Sequence, residues 1–377
     1  MELEQVRAQI DEIDDQLIAL LSRRMDCSLK VAEIKAEKGL EVYHPKREEL
    51  IFNKVRQKGG KYGEYFIELY RLLMECSRAL QHQAPPDSNP LVSTILSAEK
   101  TLSIDGKVAC YGQVGAFTHL ALTSAFDKSE ISPYFCSTFE KVFESVKSGN
   151  TEFGIVPVEN SSAGSVNEVY DLILKYKLFI VGAVAMPVSH NLLGLPGAKL
   201  TDIKAVYSHP QALSQCKNFL EANSIEGRVF SNTAAAAKHV SDLGDISIGA
   251  IGSTQGAKEN SLTVLAPSIQ SFENNQTRFI IISKHPVIPE DSNKISLVFS
   301  LSHTPGSLQK ILTRFSLHGL NLTKLESRAG KNGDFETQFY LDFDGNVAQI
   351  KTLSLLCSLL AELNDFSFLG NYKEITL

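Results

Sequence analysis

The chain has 377 residues, a formal net charge of −6 and a pI near 5.9, which is long enough for two or three domains with substantial cores. The mildly acidic balance, without a block of like charge, excludes the electrostatic footprint of a nucleic-acid binder. No apolar run is long enough to span a bilayer, since "LFIVGAVAMPV" is short and broken by glycine and proline.

The N-terminal "MELEQVRAQIDEIDDQ" is charged from its second residue and does not read as a signal peptide. Val6, Ile10, Ile13, Leu17, Leu20 and Leu21 then repeat at three and four, and the pattern runs on through Val31 and Ile34 to Gly39. The spacing predicts one helix of about 35 residues, roughly 50 Å long, too long to bury its stripe inside a small monomeric domain. Pro45 opens a second helix, "YFIELYRLLMECSRALQ" supplies a third, and residues 1–83 form an all-α domain. Residues 84–105, rich in Pro, Ser and Asp, read as a linker.

From 106 to 285, short β-branched runs ("KVACYG", "FGIVPV", "FIVGAVAM", "AVYS", "ISIGAI", "RFIII") alternate with helices, the mark of an α/β domain. Residues 293–377 begin with period-two alternation at Ile295, Leu297, Phe299 and Leu301. A helix, a strand, an Asn332-Gly333 turn, a strand, a helix and a last strand follow, giving the βαββαβ order of the α+β ferredoxin-like plan. The six cysteines (Cys27, Cys76, Cys110, Cys136, Cys216 and Cys357) show no Cys-x-x-Cys and no partnered histidine cluster. They read as reduced, mostly buried thiols of a cytoplasmic protein, with no metal site and no cofactor fingerprint.

On the long helix, Arg24 and Lys35 fall about 20° apart in azimuth and about 16 Å along the axis, so two cationic side chains can converge on one small anion. Arg7 lies about 25 Å from Arg24 and roughly 100° round the helix, so it cannot share that site within one chain. "RAQIDEIDDQLIALLSRRMDCSLKVAEIK", with "YHPKREE" and "SRALQ", resembles the all-helical chorismate mutase domain, an intertwined dimer. The resemblance implies that Arg24 and Arg47 hold the substrate carboxylates, with Arg7 coming from the other protomer. It makes Lys35 and Gln81 donors to the ether oxygen as it gains charge, and Glu48 and Ser77 contacts to the ring hydroxyl or a carboxylate. Such a pericyclic rearrangement needs no acid, base or nucleophile, only a held conformer and stabilised charge. His44 stands where that family usually has Asp.

In the α/β segment a strand runs three times into a polar turn and a helix: "FGIVPV-ENSSAG-SVNEVYDLI", "AVY-SHPQ-ALSQCKNFL" and "RVF-SNT-AAAAKHV". Ser161, Ser208, Gln211, Asn232 and Thr233 lie at these turns. Helix N-termini favour anions, and these side chain types also serve as ordinary N-caps. "GSTQGAK" lacks the spacing of a P-loop. "YGQVGAFTH", "VPVENSSAGSV", "YSHPQALSQC", "SNTAAAA" and "NQTRF" together are similar to prephenate dehydratase, whose fold has two lobes like a periplasmic binding protein. The resemblance implies that Thr277 is the proton donor to a departing hydroxyl, that Arg278 orients the site or holds a carboxylate, and that Glu159, Asn160, Ser161, Ser208, Gln211 and Gln215 line it.

In the tail, "HTPGSLQKIL" and "LTKLESRAG" resemble the two phenylalanine-contacting motifs of the regulatory ACT domain, with Gly306, Ser307, Leu308, Glu326, Ser327 and Arg328 as the contacts and Ala329 where that family has Pro. Taken together, the chain resembles the bifunctional enzymes that pass chorismate through prephenate to phenylpyruvate. That implies chorismate and prephenate as substrates, phenylalanine as inhibitor and a homodimer or larger assembly. The competing expectations are an amino-acid sensor that has lost its chemistry and an arogenate-preferring dehydratase.

Overall fold

A computed structural model of the chain describes residues 2–40, 42–81, 89–126, 131–271, 275–329, 337–363 and 365–377. The Asn332-Gly333 turn, part of the expected linker, and Glu273 and Asn274 lie outside them. The chain forms two compact units, Met1–Leu96 with Ile295–Phe368, and Ser97–Lys294 with Leu369–Leu377.

The first unit opens with α1 (Leu3–Glu37), the long rod the three-and-four repeat demands, followed by α2 (Pro45–Gly59) and α3 (Gly63–Gln81). Proline at the first position of α2 costs no hydrogen bond there, and His44 caps that helix, its Nδ1 accepting the Arg47 N–H at 3.2 Å. A histidine thus does the capping an aspartate could do at position 44. The stretch read as a linker contains a further helix, α4 (Pro90–Leu96), which buries Leu91, Val92 and Ile95. Its proline again sits at the first turn.

The second unit follows: β1 (Gly106–Tyr111), α5 (Phe117–Ala125), β2 (Ile131–Cys136), α6 (Phe139–Ser148), β3 (Phe153–Asn160), β4 (Gly164–Ser165), α7 (Asn167–Tyr176), β5 (Phe179–Pro187), β6 (Asn191–Gly194), β7 (Ala205–Ser208), α8 (Pro210–Gln215), α9 (Lys217–Ala222), β8 (Glu226–Val229), α10 (Thr233–Leu243), β9 (Ile248–Gly252), α11 (Thr254–Glu259), β10 (Thr263–Ala266) and β11 (Gln276–Ser283). The strands sort into two mixed sheets, one running β5-β11-β3-β1-β2 and the other β10-β6-β9-β7-β8. Each has its own core. One is built on Val108, Ile155, Val184 and Ile281, and the other packs Leu192, Val206 and Ile251 on one side and Leu193, Ala236 and Val240 on the other. Two lobes result, joined by the segments between β5 and β6 and between β10 and β11. Those segments are tied together where the Val188 N–H donates to the Asn275 carbonyl at 2.8 Å.

The chain then returns to the first unit with β12 (Lys294–Leu301), α12 (Ser307–Leu317), β13 (Leu322–Ala329), β14 (Thr337–Asp344) and α13 (Ile350–Glu362), in strand order β13-β14-β12. Within this unit α12 packs on α3 and α13 on α4, so the helical N-terminal segment and the later βαββα segment form one body. The last strand, β15 (Ser367–Thr376), ends differently from the expected domain boundary. Its residues 373–376 pair parallel with β5, so the C-terminus completes the larger sheet of the second unit.

Among the described residues no helix is long and apolar enough to cross a membrane. Cys110, Cys136, Cys216 and Cys357 are buried, whereas Cys27 is exposed on α1.

Candidate functional site

Helices α1, α2 and α3 enclose a cavity of about 390 Å³. Arg24, Lys35, Arg47, Glu48, Ser77 and Gln81 all line it, as the helical spacing of the two α1 cations requires. Arg24 is held in place by Ser77, its Nη1 donating to Oγ at 2.5 Å. Lys35 Nζ donates to the Val42 carbonyl at 2.7 Å, and burial lowers its pKa below the ordinary lysine value. Gln81 Nε2 donates to the Ser77 carbonyl at 3.1 Å, and its buried Oε1 has no hydrogen-bond partner. Arg7 does not reach this cavity; it is exposed and pairs with Glu4 at 2.7 Å. The pocket thus gathers four cations, Arg24, Lys35, Arg47 and Arg78, and an amide with one acid, Glu48, a set that binds a dianion and stabilises negative charge.

Sequence reasoning missed one wall of this pocket. Arg78, 6% exposed, pairs with both Glu48 and Glu75, and Glu75 pairs in turn with Arg314 of α12, Nε to Oε2 at 2.8 Å. Arg314 reaches Glu362 at 2.6 Å, and Lys310 reaches the same carboxylate at 3.1 Å. Burial pushes the Glu75 carboxyl up against the pull of Arg314. Glu362 ends below its ordinary value because Arg314, Lys310 and Arg78 outweigh the same burial.

In the second unit, β11 carries the "NQTRF" motif between β3 and β5, and its register sets Thr277 opposite Asn160 and Arg278 opposite Glu159. Pleating sends these two pairs to opposite faces. On the first face lies a closed polar network. Asn160 Nδ2 donates to Thr277 Oγ1 at 2.9 Å and to Asn275 Oδ1 at 2.8 Å. Its Oδ1 accepts the backbone N–H groups of Ser162 and Ala163, each at 3.1 Å, and Gln215 Nε2 at 3.2 Å. Gln215 also donates to Ser162 Oγ, and its Oε1 meets His190 Nε2 at 2.8 Å. Burial lowers the His190 pKa, more than the Gln215 bond raises it, and His209 lowers it further. Ser161 Oγ accepts the Gln276 N–H at 2.9 Å, bracing the same turn.

Ser208 and Gln211 take other roles in this geometry. Ser208 is wholly buried, its Oγ donating to the Ile251 carbonyl at 2.9 Å, and the backbone N–H of Gln211 is capped by His209 at 3.3 Å. Asn232 is an N-cap, accepting from Ala235 at 2.7 Å. On the opposite face of β11, Arg278 meets the C-terminal strand. Its Nε lies 2.5 Å from Glu374 Oε1 and its Nη2 donates to the Tyr372 hydroxyl at 2.6 Å. Asn275 stands inside the "NQTRF" motif but was not singled out as a site residue, His190 carries no signal beyond polarity at an apolar run's end, and Tyr372 and Glu374 carry none at all.

In the C-terminal part of the first unit, the loop from Leu301 to Gln309 lines a cavity of about 540 Å³ together with Thr337 and Phe339. Gly306, Ser307 and Leu308 lie on that wall, Gly306 at a φ of +83° that favours glycine. Arg328 pairs with Glu326 at 2.9 Å on β13, with Ser327 between them.

A cationic pocket on three helices and a two-lobed domain with a buried hydroxyl–amide network define a two-site protein that handles small acidic molecules. Residues 6–82 match the chorismate mutase type II family and residues 108–287 the prephenate dehydratase family. A bifunctional chorismate mutase/prephenate dehydratase of Aquifex aeolicus (strain VF5) is 33% identical over 378 residues, covering 100% of this chain and 99% of that protein. The chain belongs to the bifunctional chorismate mutase/prephenate dehydratase family. An arogenate dehydratase/prephenate dehydratase of Arabidopsis thaliana is 39% identical over 298 residues, covering 74% of this chain and 76% of that protein. The solved prephenate dehydratase of Arthrobacter aurescens, in complex with L-Phe, is similar at a TM-score of 0.66 and 29% identity, over 71% of this chain and 90% of that one.

Proposed function

We propose that the helical pocket rearranges chorismate to prephenate and that the two-lobed domain converts prephenate to phenylpyruvate, CO2 and water. In the first reaction Arg24 and Arg47 grip the carboxylates and Lys35 and Gln81 meet the ether oxygen as charge builds on it, while Glu48 and Ser77 set the ring. Arg7 reaches this pocket from a second copy of the chain. In its own chain it is exposed, as is the apolar stripe of α1, with Ile10, Ile13, Leu17 and Leu20 each about half exposed. A homodimer intertwined along α1 covers that stripe.

The second reaction rests on one observation, the bond from Asn160 to Thr277. Because the Thr277 oxygen accepts from the amide, its own proton is left to point at a bound substrate. Loss of the ring hydroxyl needs that proton while the carboxylate departs as CO2, and the N–H donors around Asn160 and Gln215 suit the anionic remainder. Arg278 supports the strand from behind rather than reaching into the cleft. The βαββαβ order of the C-terminal segment supports a ferredoxin-like ACT domain whose Gly306 loop and Glu326–Arg328 strand take phenylalanine between paired copies and slow the dehydratase. The reading places the enzyme in the cytoplasm, without cofactor or metal.

The test supplies pure protein with chorismate and follows its loss and the appearance of phenylpyruvate, with and without phenylalanine. Both steps should proceed, the second slowed by phenylalanine, while Thr277→Val lowers the second roughly a hundredfold or more and leaves the first. Near-normal dehydration by the valine variant would remove Thr277 as the donor. Arogenate supplied in parallel decides between the two ring acids, a comparison motivated by the similarity to the Arabidopsis dehydratase.

A further inference from the structure

Glu48 is a candidate contact of the mutase pocket, yet it is not free to take any geometry. The charges behind it alternate without a break: Glu48, Arg78, Glu75, Arg314, then Glu362, which also takes Lys310. Glu75, Arg78 and Arg314 are 4%, 6% and 4% exposed, so water does not screen these pairs. Tyr43 closes the row, with Arg78 at 5.4 Å and Lys310 at 4.8 Å from its ring centroid. In such a row each guanidinium is shared, and its position is set by the balance between the carboxylates on either side. Arg78 is held between Glu48 in the pocket and Glu75 behind it. Glu75 in turn is held between Arg78 and Arg314.

We infer that Arg78 is a positioning residue for the rearrangement, holding the Glu48 carboxylate toward the pocket, and that Arg314 of α12 sets how firmly it does so. This rests on the reading of the helical cavity as the mutase site. Because each charge is shared, the sign of each change is fixed. When Arg314 loses its charge, Glu75 is left with Arg78 alone and draws that guanidinium away from Glu48. When Glu75 loses its charge, Arg78 turns to Glu48 as its only acidic partner. Neutralising both returns the balance at Arg78 to Glu48. The device also gives the mutase a structural link to α12, whose first turn borders the Leu301–Gln309 cavity.

Four variants of the full-length protein test this, with chorismate turnover, prephenate turnover and thermal unfolding measured on each. Arg78→Gln should raise the mutase KM about tenfold with a smaller change in kcat, because Glu48 acts as a ground-state contact, and Arg78→Lys should recover part of that loss. Arg314→Gln should raise the same KM several-fold. The double variant Glu75→Gln/Arg314→Gln, which leaves no buried carboxylate uncompensated at that point, should return KM to within about twofold of the parent. Prephenate turnover should not change in any of them. An unchanged mutase KM in folded Arg78→Gln overturns the proposal, as does a double variant no better than Arg314→Gln. If Arg314→Gln does not fold, the double variant and Arg78→Lys still decide. Lys35→Ala, run alongside, separates the two levels: if it abolishes the mutase while the arginine variants do nothing, only the positioning role falls. If Lys35→Ala keeps full mutase activity, the site assignment falls and the positioning role with it.

Discussion

One amide decides what Thr277 can do. Asn160 Oδ1 faces two backbone N–H groups, so its oxygen cannot be exchanged with its nitrogen without setting donor against donor. The Nδ2 therefore has to face Thr277 and Asn275, and the hydroxyl of Thr277 is left as a donor. The same network fixes the state of His190. Its Nε2–H donates to Gln215 Oε1, its Nδ1 has no hydrogen-bond partner, and burial holds it neutral. A folded-state pKa below the unfolded value means that the unfolded chain binds the extra proton as pH falls below about 6.5. Stability is therefore retained above that pH and lost as pH drops from there toward the folded value, by up to about 1.4 kcal/mol per pH unit for one such group. His209, also lowered by burial, adds to the same slope. Thermal unfolding of the dehydratase unit between pH 7.5 and 5 should show this fall, and His190→Gln, which keeps an N–H for Gln215, should flatten it. An unaltered slope would place the titration elsewhere.

At the scale of elements, what the sequence made legible was what repeats. The β-branched runs of β1, β3, β5, β7, β9 and β11 were readable because burial keeps them apolar, and the three-and-four stripe of α1 by its helical period, although that stripe is exposed in the single chain. The four-residue strands β6 and β10 carry no such run, whereas β7 and β8, equally short, are marked by the polar turns that follow them. Helix α4 was hidden by composition: Pro, Ser and Asp around it read as linker, while Leu91, Val92 and Ile95 bury its apolar side. The motif residues Thr277, Asn160 and Gln215 were legible as a set. That Arg278 and Glu159 turn away from them depends on strand register, and Tyr372 and Glu374 come from the expected last strand, whose pairing with β5 nothing local predicts. Gly115, in the "YGQVGAFTH" turn, shows how tightly the lobes approach. Its φ is +83°, a Cβ there would sit 2.9 Å from the Gly256 Cα, and its carbonyl accepts Ser253 Oγ at 2.8 Å. Gly115→Ala has to strain the turn and part these backbones, which should cost about 1–3 kcal/mol, a fall of roughly 2–4 °C in Tm per kcal/mol for a unit of this size. Dehydratase KM should rise with it; a variant of unchanged Tm and KM would mean the contact is slack.

The whole molecule carries two features that a single chain leaves open. The C-terminal strand ends in the dehydratase sheet, with Tyr372 and Glu374 on Arg278, so removing the tail from residue 293 strips the second unit of partners as well as any regulatory site. Regulation is therefore better probed at Gly306, away from that strand. The other feature is α1, whose apolar stripe is exposed along most of its length and whose Arg7 lies outside the cavity that Arg24 lines. In the proposed dimer, a partner copy lying along α1 would bury the stripe and bring Arg7 to the opposite pocket in one arrangement, because in a two-fold dimer each contact occurs twice. Arg7→Ala and Arg24→Ala should each abolish mutase turnover alone. In a mixed dimer one pocket then receives both defects and the other neither. Random exchange makes half of the dimers mixed, each with one intact pocket of two, so the mixture should recover about a quarter of the parent mutase activity. Exchange verified by tagged subunits, with no recovery, would show that Arg7 serves its own chain or no pocket at all.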